Sequence, residues 1–144
     1  MRDFPDQPGP MCDWPYVEWI DGAGEALQHL HKNHVLAIAT NAGCSDTAAM
    51  RRALQRIDAE KYFSHFFSSK DLGIRKPDPL FFTTIASQCG YLPSDCVMVG
   101  DSYENDISGA ALAGMTTVWL SADGVDSPAA VHRISSMHQL IQLF

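Results

Sequence analysis

Hydrophobic residues along the chain occur in two kinds of segment. Short apolar runs rich in β-branched and aromatic residues alternate with stretches in which apolar residues recur every three or four positions. This alternation predicts an α/β fold, a mostly parallel sheet covered by helices on both faces, because parallel strands need helical connections. The predicted strands are His34–Thr40, Tyr62–Ser69, Cys96–Gly100, Thr116–Ser121 and Val131–Ile134.

Polar residues and glycines mark the ends of the predicted helices. Asp78 precedes Pro79, a pair typical of a helix start, and Gly90 stands where that helix should end. The apolar residues between them, such as Phe82 and Ile85, are predicted to be buried. Further helices are predicted after Ser45 or Asp46, after Asp106 as far as Gly114, and from Ser135 or Ser136 through Leu143.

The first twenty residues differ in kind from the rest. They contain four prolines and the aromatic residues Trp14, Tyr16 and Trp19, without a helical or strand period. We therefore predict an irregular amino-terminal arm over residues 1–20 and a single core domain over residues 21–144, a length that suits one hydrophobic core.

Composition narrows the range of functions. The formal charge of −7 disfavours a nucleic-acid partner, because binding to phosphate backbones relies on clustered lysine and arginine. No apolar run approaches the ~20 residues of a membrane span, and no secretory signal is evident, so a cytoplasmic location is expected. The cysteines show no C-x-x-C spacing and are predicted to be reduced core thiols: Cys12, Cys44, Cys89 and Cys96.

Polar side chains suited to binding or catalysis follow the predicted strands. Thr40 and Asn41 end the first strand, where a hydroxyl and backbone N–H groups suit an anion, although such a pair is commonly local capping. Lys76 lies in the loop "GIRKPDP", and Asp101 and Asp106 follow the third strand in "GDSYEND". Carboxyl ends of strands in open α/β sheets gather ligand groups. Carboxylates there suit Mg²⁺ or the orientation of a lysine.

Together these segments resemble the haloacid dehalogenase superfamily, in particular its phosphatase-like branch. The longest matches are "SSKDLGIRKPDPLFF" and "VMVGDSYENDISGAALAGM". The resemblance implies a Rossmann-like three-layer sandwich. It also implies that Thr40 and Asn41 bind the phosphoryl group, that Lys76 offsets its charge, and that Asp101 binds Mg²⁺, with Asp106 as a second acid at the metal or the lysine.

The family's first motif, D-x-D-x-[TV] after an apolar strand, does not occur in the sequence. That motif supplies the nucleophilic aspartate and the general acid of relatives. The pair in "RDFPDQP" is spaced three apart, and Asp21 in "EWIDGAG" stands alone. The helical cap of relatives is also missing. We therefore expect a core without its first strand, with weakened Mg²⁺ binding.

The sequence is compatible with three functions. The chain is a phosphohydrolase-type domain that lacks part of its active site, a non-catalytic binding domain of the same fold, or an active enzyme whose aspartate comes from elsewhere. A small phosphorylated molecule is the expected ligand, and a homodimer is a further expectation. For the sheet, we expect His34–Thr40 to pair directly with Cys96–Gly100 across the place of the first-motif strand.

Overall fold

The computed structural model describes residues 21–41, 46–121 and 129–144, so the predicted arm over residues 1–20 lies outside the described residues. Strands and helices alternate along the described chain, as predicted. The strands are β1 (Ala37–Thr40), β2 (His65–Ser68), β3 (Val97–Gly100), β4 (Thr116–Leu120) and β5 (His132–Ile134). The α-helices are α1 (Ala23–Leu30), α2 (Thr47–Gln55), α3 (Ser69–Leu72), α4 (Pro79–Cys89), α5 (Gly109–Leu112) and α6 (Leu140–Leu143). Single 3₁₀ turns occupy Glu60–Tyr62, Pro93–Asp95 and Met137–Gln139, and a π-helical segment covers Tyr103–Ser108.

All five predicted strands are present in the predicted order, but each is shorter than its apolar run. The first illustrates the reason. The backbone N–H of His34 donates to the carbonyl of Leu30 at 3.0 Å, which closes the turn after α1 and delays the strand until Ala37. Local helical bonding at its start therefore removes three residues from the predicted strand.

The helix ends follow the predicted capping signals. The carboxylate of Asp46 accepts from the backbone N–H of Ala49, and that of Asp78 accepts from Leu80. Gly90 ends α4 with a positive φ of 82°, a conformation that glycine adopts without steric cost. Even α4, with 11 residues, is short, and no helix in the described part of the chain is long and apolar enough to cross a membrane.

The strands form two parallel sheets, and the expected direct pairing of the first and third strands is wrong. β1 pairs with β2, while β3, β4 and β5 form a second sheet in that order. Within residues 21–41, 46–121 and 129–144, no ladder joins β1 to β3. Both strands are accordingly only partly buried, with Ala37 and Val97 exposed at their starts.

Helix α4 connects the two sheets by packing. Phe81 and Phe82 are fully buried in a cluster that includes Phe67 of β2. Ala39 of β1 and Met98 of β3 pack against this same cluster, so one helix covers strands of both sheets. Burial of this apolar surface, rather than a continuous ladder, holds the halves of the described domain together on this face.

Two of the predicted core thiols lie in the described residues. Cys89 and Cys96 are free and half-buried beside the α4 cluster. Burial raises the pKa of both thiols, with smaller contributions from the Cys96 thiol on Cys89 and from Asp95 on Cys96. Both groups therefore stay protonated at neutral pH, in keeping with an inert packing role. Cys12 and Cys44 lie outside the described residues.

We expect Phe82→Ala to lower the free energy of unfolding by about 3 to 5 kcal/mol, because the ring is fully buried and its removal leaves a cavity. Leu80→Ala in the same helix is the matched control. Its side chain is 55% exposed, and a change within about 0.5 kcal/mol is expected. Urea unfolding followed by circular dichroism measures both, and equal losses would contradict the role assigned to α4.

Candidate functional site

A buried ion pair lies at the carboxyl end of β1. The ammonium of Lys76 contacts Oδ1 of Asp106 at 2.6 Å, with side chains only 10% and 8% exposed. The same ammonium donates to the carbonyl of Ala39 at 3.1 Å. Lys76 thus connects β1 to the segment that follows β3, and the ion pair expected from the sequence is present.

A chain of two contacts joins the end of β1 to the segment that follows β3. The carbonyl of Ala39 accepts from the Lys76 ammonium, which in turn contacts the Asp106 carboxylate. Strands of one sheet are joined by direct backbone bonds of about 2.9 Å. Among the described residues, the connection at this edge therefore runs through buried charged side chains and not through a ladder.

Asn41 is bonded to the backbone of Lys76. Its amide nitrogen donates to the Lys76 carbonyl at 2.9 Å, and its Oδ1 accepts from the Lys76 N–H at 2.9 Å. Both ends of one carboxamide therefore contact one residue, 35 positions away in the sequence. These bonds fix the loop that carries Lys76 against the end of β1.

Asp106 is held by backbone as well as by Lys76. Its Oδ2 accepts from the N–H of Ser102 at 3.1 Å, so each carboxylate oxygen has a partner. Gly100 permits this arrangement, because a methyl group in its place would overlap the Asp106 carboxylate. The helix was predicted to begin after Asp106, but Asp106 lies inside a π-helical segment that begins at Tyr103. The segment begins earlier because the hydroxyl of Ser102 caps it by accepting from the backbone N–H of Asn105.

Thr40 and Asp101 flank this network. Thr40 is the last residue of β1, half-buried and opposite Ser68 in the ladder with β2. Asp101 directly follows Gly100 and is exposed, while its backbone carbonyl accepts from the indole of Trp119 at 3.1 Å. Contacts thus join Asn41, Lys76 and Asp106 directly. Thr40 precedes Asn41 at the end of β1, and Asp101 follows the end of β3.

Asp101 is the carboxylate of the described network that is open to a metal ion. The oxygens of Asp106 contact Lys76 and Ser102, whereas Asp101 is exposed. In the part of the chain that the structure describes, no group of three acidic, histidine or cysteine side chains could hold a metal. Magnesium is usually bound through one or two carboxylates and several waters, so Asp101 is the residue of this network that would hold it.

The sequence did not predict the main-chain groups and the glycine that contribute to this site. The Ala39 carbonyl, the Ser102 N–H and the side-chain-free Gly100 all contact the ion pair or make room for it. A main-chain group carries no residue signature, and only the glycine before Asp101 offered a signal. Gly109 is similar, because an added Cβ would lie 2.7 Å from Phe82 and would overlap the Pro77 carbonyl.

Residues 17–114 match the model of the haloacid dehalogenase-like hydrolases. The chain belongs to this family. The segments that carry Asn41, Lys76 and Asp106 all lie within the matched range.

Two characterised relatives act on phosphorylated compounds, according to their names. The pyrimidine 5'-nucleotidase YjjG of Escherichia coli is 34% identical over 128 residues, which are 86% of this chain and 56% of YjjG. Human N-acylneuraminate-9-phosphatase is 32% identical over 119 residues, 79% of this chain and 47% of the enzyme. The chain therefore spans about half the length of these relatives.

A solved structure confirms the fold. YfnB of Bacillus subtilis, a HAD-hydrolase described as bound to magnesium, superimposes with a TM-score of 0.76 at 26% identity. The comparison covers 86% of this chain and 55% of YfnB. The α/β Rossmann-like architecture inferred from the sequence is thus shown, although the described strands of this chain form two sheets.

We expect Lys76→Met to lower the free energy of unfolding by about 3 to 5 kcal/mol, because it leaves the Asp106 carboxylate buried without its cation. Adding Asp106→Asn should recover most of this loss, since the amide can still accept from Ser102. Urea unfolding of the single and double variants measures the interaction free energy between Lys76 and Asp106.

Lys61→Met is the matched control for this cycle. Lys61 contacts Asp58 at 2.8 Å, but the two side chains are 56% and 83% exposed. Solvent screens such a pair, so its loss should leave the unfolding midpoint unchanged. A Lys76→Met effect no larger than that of Lys61→Met would show that the buried pair does not organise the site.

Proposed function

We propose that this chain is a phosphohydrolase-type domain that binds a small phosphate monoester at the carboxyl ends of β1 and β3. The observation that carries this proposal is the position of Lys76. Its ammonium is held by Ala39 and Asp106, and about a tenth of its side chain remains accessible at the sheet edge. An anion that reaches this edge meets a cation already fixed in place.

The donor groups suit a phosphoryl group. An ammonium has three N–H donors, and among the described residues those of Lys76 contact Ala39 and Asp106; this proposal assigns the third to the ligand. The hydroxyl of Thr40 lies at the end of the neighbouring strand. The names of YjjG and of N-acylneuraminate-9-phosphatase, a nucleotidase and a phosphatase, support a phosphorylated small molecule as the ligand class.

Binding without turnover is the function proposed for these 144 residues. No two aspartates in the sequence stand two apart, so the pair that forms and resolves an aspartyl-phosphate in relatives is not supplied by this chain. Lys76 and Thr40 can orient and neutralise a phosphoryl group but cannot form that covalent bond. A non-catalytic binding domain of the same family would use the same residues.

Magnesium takes no part in the proposed binding step. With Asp106 engaged by Lys76 and Ser102, Asp101 is the one carboxylate of the described network that is open to a cation. We propose that Mg²⁺ contacts this chain weakly, through Asp101. The magnesium reported for YfnB belongs to a chain nearly twice as long as the region compared.

Inorganic phosphate should bind the wild-type chain and bind Lys76→Met/Asp106→Asn about tenfold more weakly or worse, because the double variant removes the cation without leaving an unpaired acid. Isothermal titration calorimetry at low ionic strength measures both affinities. Lys61→Met, which removes an exposed lysine, should bind phosphate as the wild type does. Equal affinities for all three proteins would refute the site.

The isolated chain should show no phosphatase activity above background with a generic phosphomonoester, with or without Mg²⁺, because it lacks the covalent nucleophile. Release of inorganic phosphate is the measurement, and Asp101→Asn is the control variant. Robust Mg²⁺-dependent turnover that disappears in Asp101→Asn would overturn the proposal of binding without hydrolysis.

A further inference from the structure

The Asn41 carboxamide uses both its nitrogen and its oxygen to bond to the backbone of Lys76. Its nitrogen donates to the Lys76 carbonyl and its oxygen accepts from the Lys76 N–H, both at 2.9 Å. This reciprocal pair resembles the bonding between two residues of adjacent antiparallel strands. It fixes the plane of the carboxamide and directs it toward the Lys76 loop.

Lys76 is consequently held at both ends by the same strand terminus. Its backbone is bonded to Asn41, and its ammonium is bonded to the carbonyl of Ala39, two residues earlier. A free lysine side chain has about 2 kcal/mol of rotamer entropy to lose when it is ordered. Fixing the backbone and the ammonium together means that this ordering is complete before any ligand arrives.

The described loop around Lys76 has further contacts. Ile74 packs against the α4 cluster, the Asp78 N–H donates to the Arg75 carbonyl, and Pro77 lies against Gly109. Gly73, Arg75 and Asp78 are exposed, whereas Lys76 is buried. The side chain of Asn41 bonds to both the N–H and the carbonyl of Lys76.

We propose that Asn41 is a positioning residue for Lys76, so that its side chain orients the lysine that meets the anion and does not itself contact the phosphoryl group. This inference rests on the phosphate site proposed above and assigns the role of one residue within it. Thr40, Lys76 and main-chain N–H groups are then the direct contacts, and Asn41 acts through Lys76.

The first test needs no ligand. Hydrogen exchange of the Lys76 backbone amide, measured by NMR, should become about tenfold faster in Asn41→Leu, which is similar in size but cannot accept a hydrogen bond. Asn41→Asp keeps the acceptor and should retain most of the protection. Asn33→Leu, at an exposed position after α1, is the matched control and should leave Lys76 unchanged. Unaltered exchange in Asn41→Leu would overturn the proposal.

The second test separates positioning from direct contact. In the wild-type background, Asn41→Leu should weaken phosphate binding about tenfold. In the Lys76→Met/Asp106→Asn background it should have no further effect, because the residue through which it acts is gone. Equal losses in both backgrounds would show that Asn41 contacts the phosphate itself and would overturn the proposal.

The two tests also distinguish this inference from the proposed function. If the wild-type chain does not bind phosphate, the proposed function fails, and the exchange rates of the Lys76 amide still decide whether Asn41 positions the lysine. If Asn41→Leu does not fold, Asn41→Ser provides the same comparison, because serine is too short to form the reciprocal pair.

Discussion

The buried ion pair between Lys76 and Asp106 is the interaction around which the described domain is organised. It connects the end of β1, the loop before α4 and the segment after β3, which are separated by tens of residues in the chain. Removing two charges from water is costly, and only close contact and additional hydrogen bonds offset that cost. Here Ala39 and Ser102 supply these bonds, so the pair constrains the backbone on both sides of it.

The same pair lies where the two sheets of the described chain meet. Within the described residues no ladder joins β1 to β3, and the lysine and the carboxylate connect their ends. On the other side, α4 spans both sheets through Phe81 and Phe82. The fold therefore combines apolar packing across its face with a polar connection at its functional edge, and the connection includes the group that we propose to bind phosphate.

Several residues of the proposed site also stabilise the structure around it. The absence of a side chain at Gly100 makes room for Asp106, and Asp106 in turn holds the ammonium of Lys76. A phosphate site built in this way is preorganised, because its cation is placed by contacts that also stabilise the domain. On this basis we propose that phosphate binding persists in a chain whose sequence does not contain the family's nucleophile motif.

Local sequence signals determined the elements and the candidate residues. Asp78, Pro79 and Gly90 mark the ends of α4, and the motif order placed Asn41, Lys76 and Asp106 in one site, because capping, turn chemistry and strand periodicity act over a few residues. Only the tertiary structure decided which partner each group takes. The two bonds of Asn41 to Lys76 span 35 residues, and the contacts of the Lys76 ammonium connect β1 to Asp106 after β3. Such contacts arise from three-dimensional packing, and no local pattern of residue types encodes them.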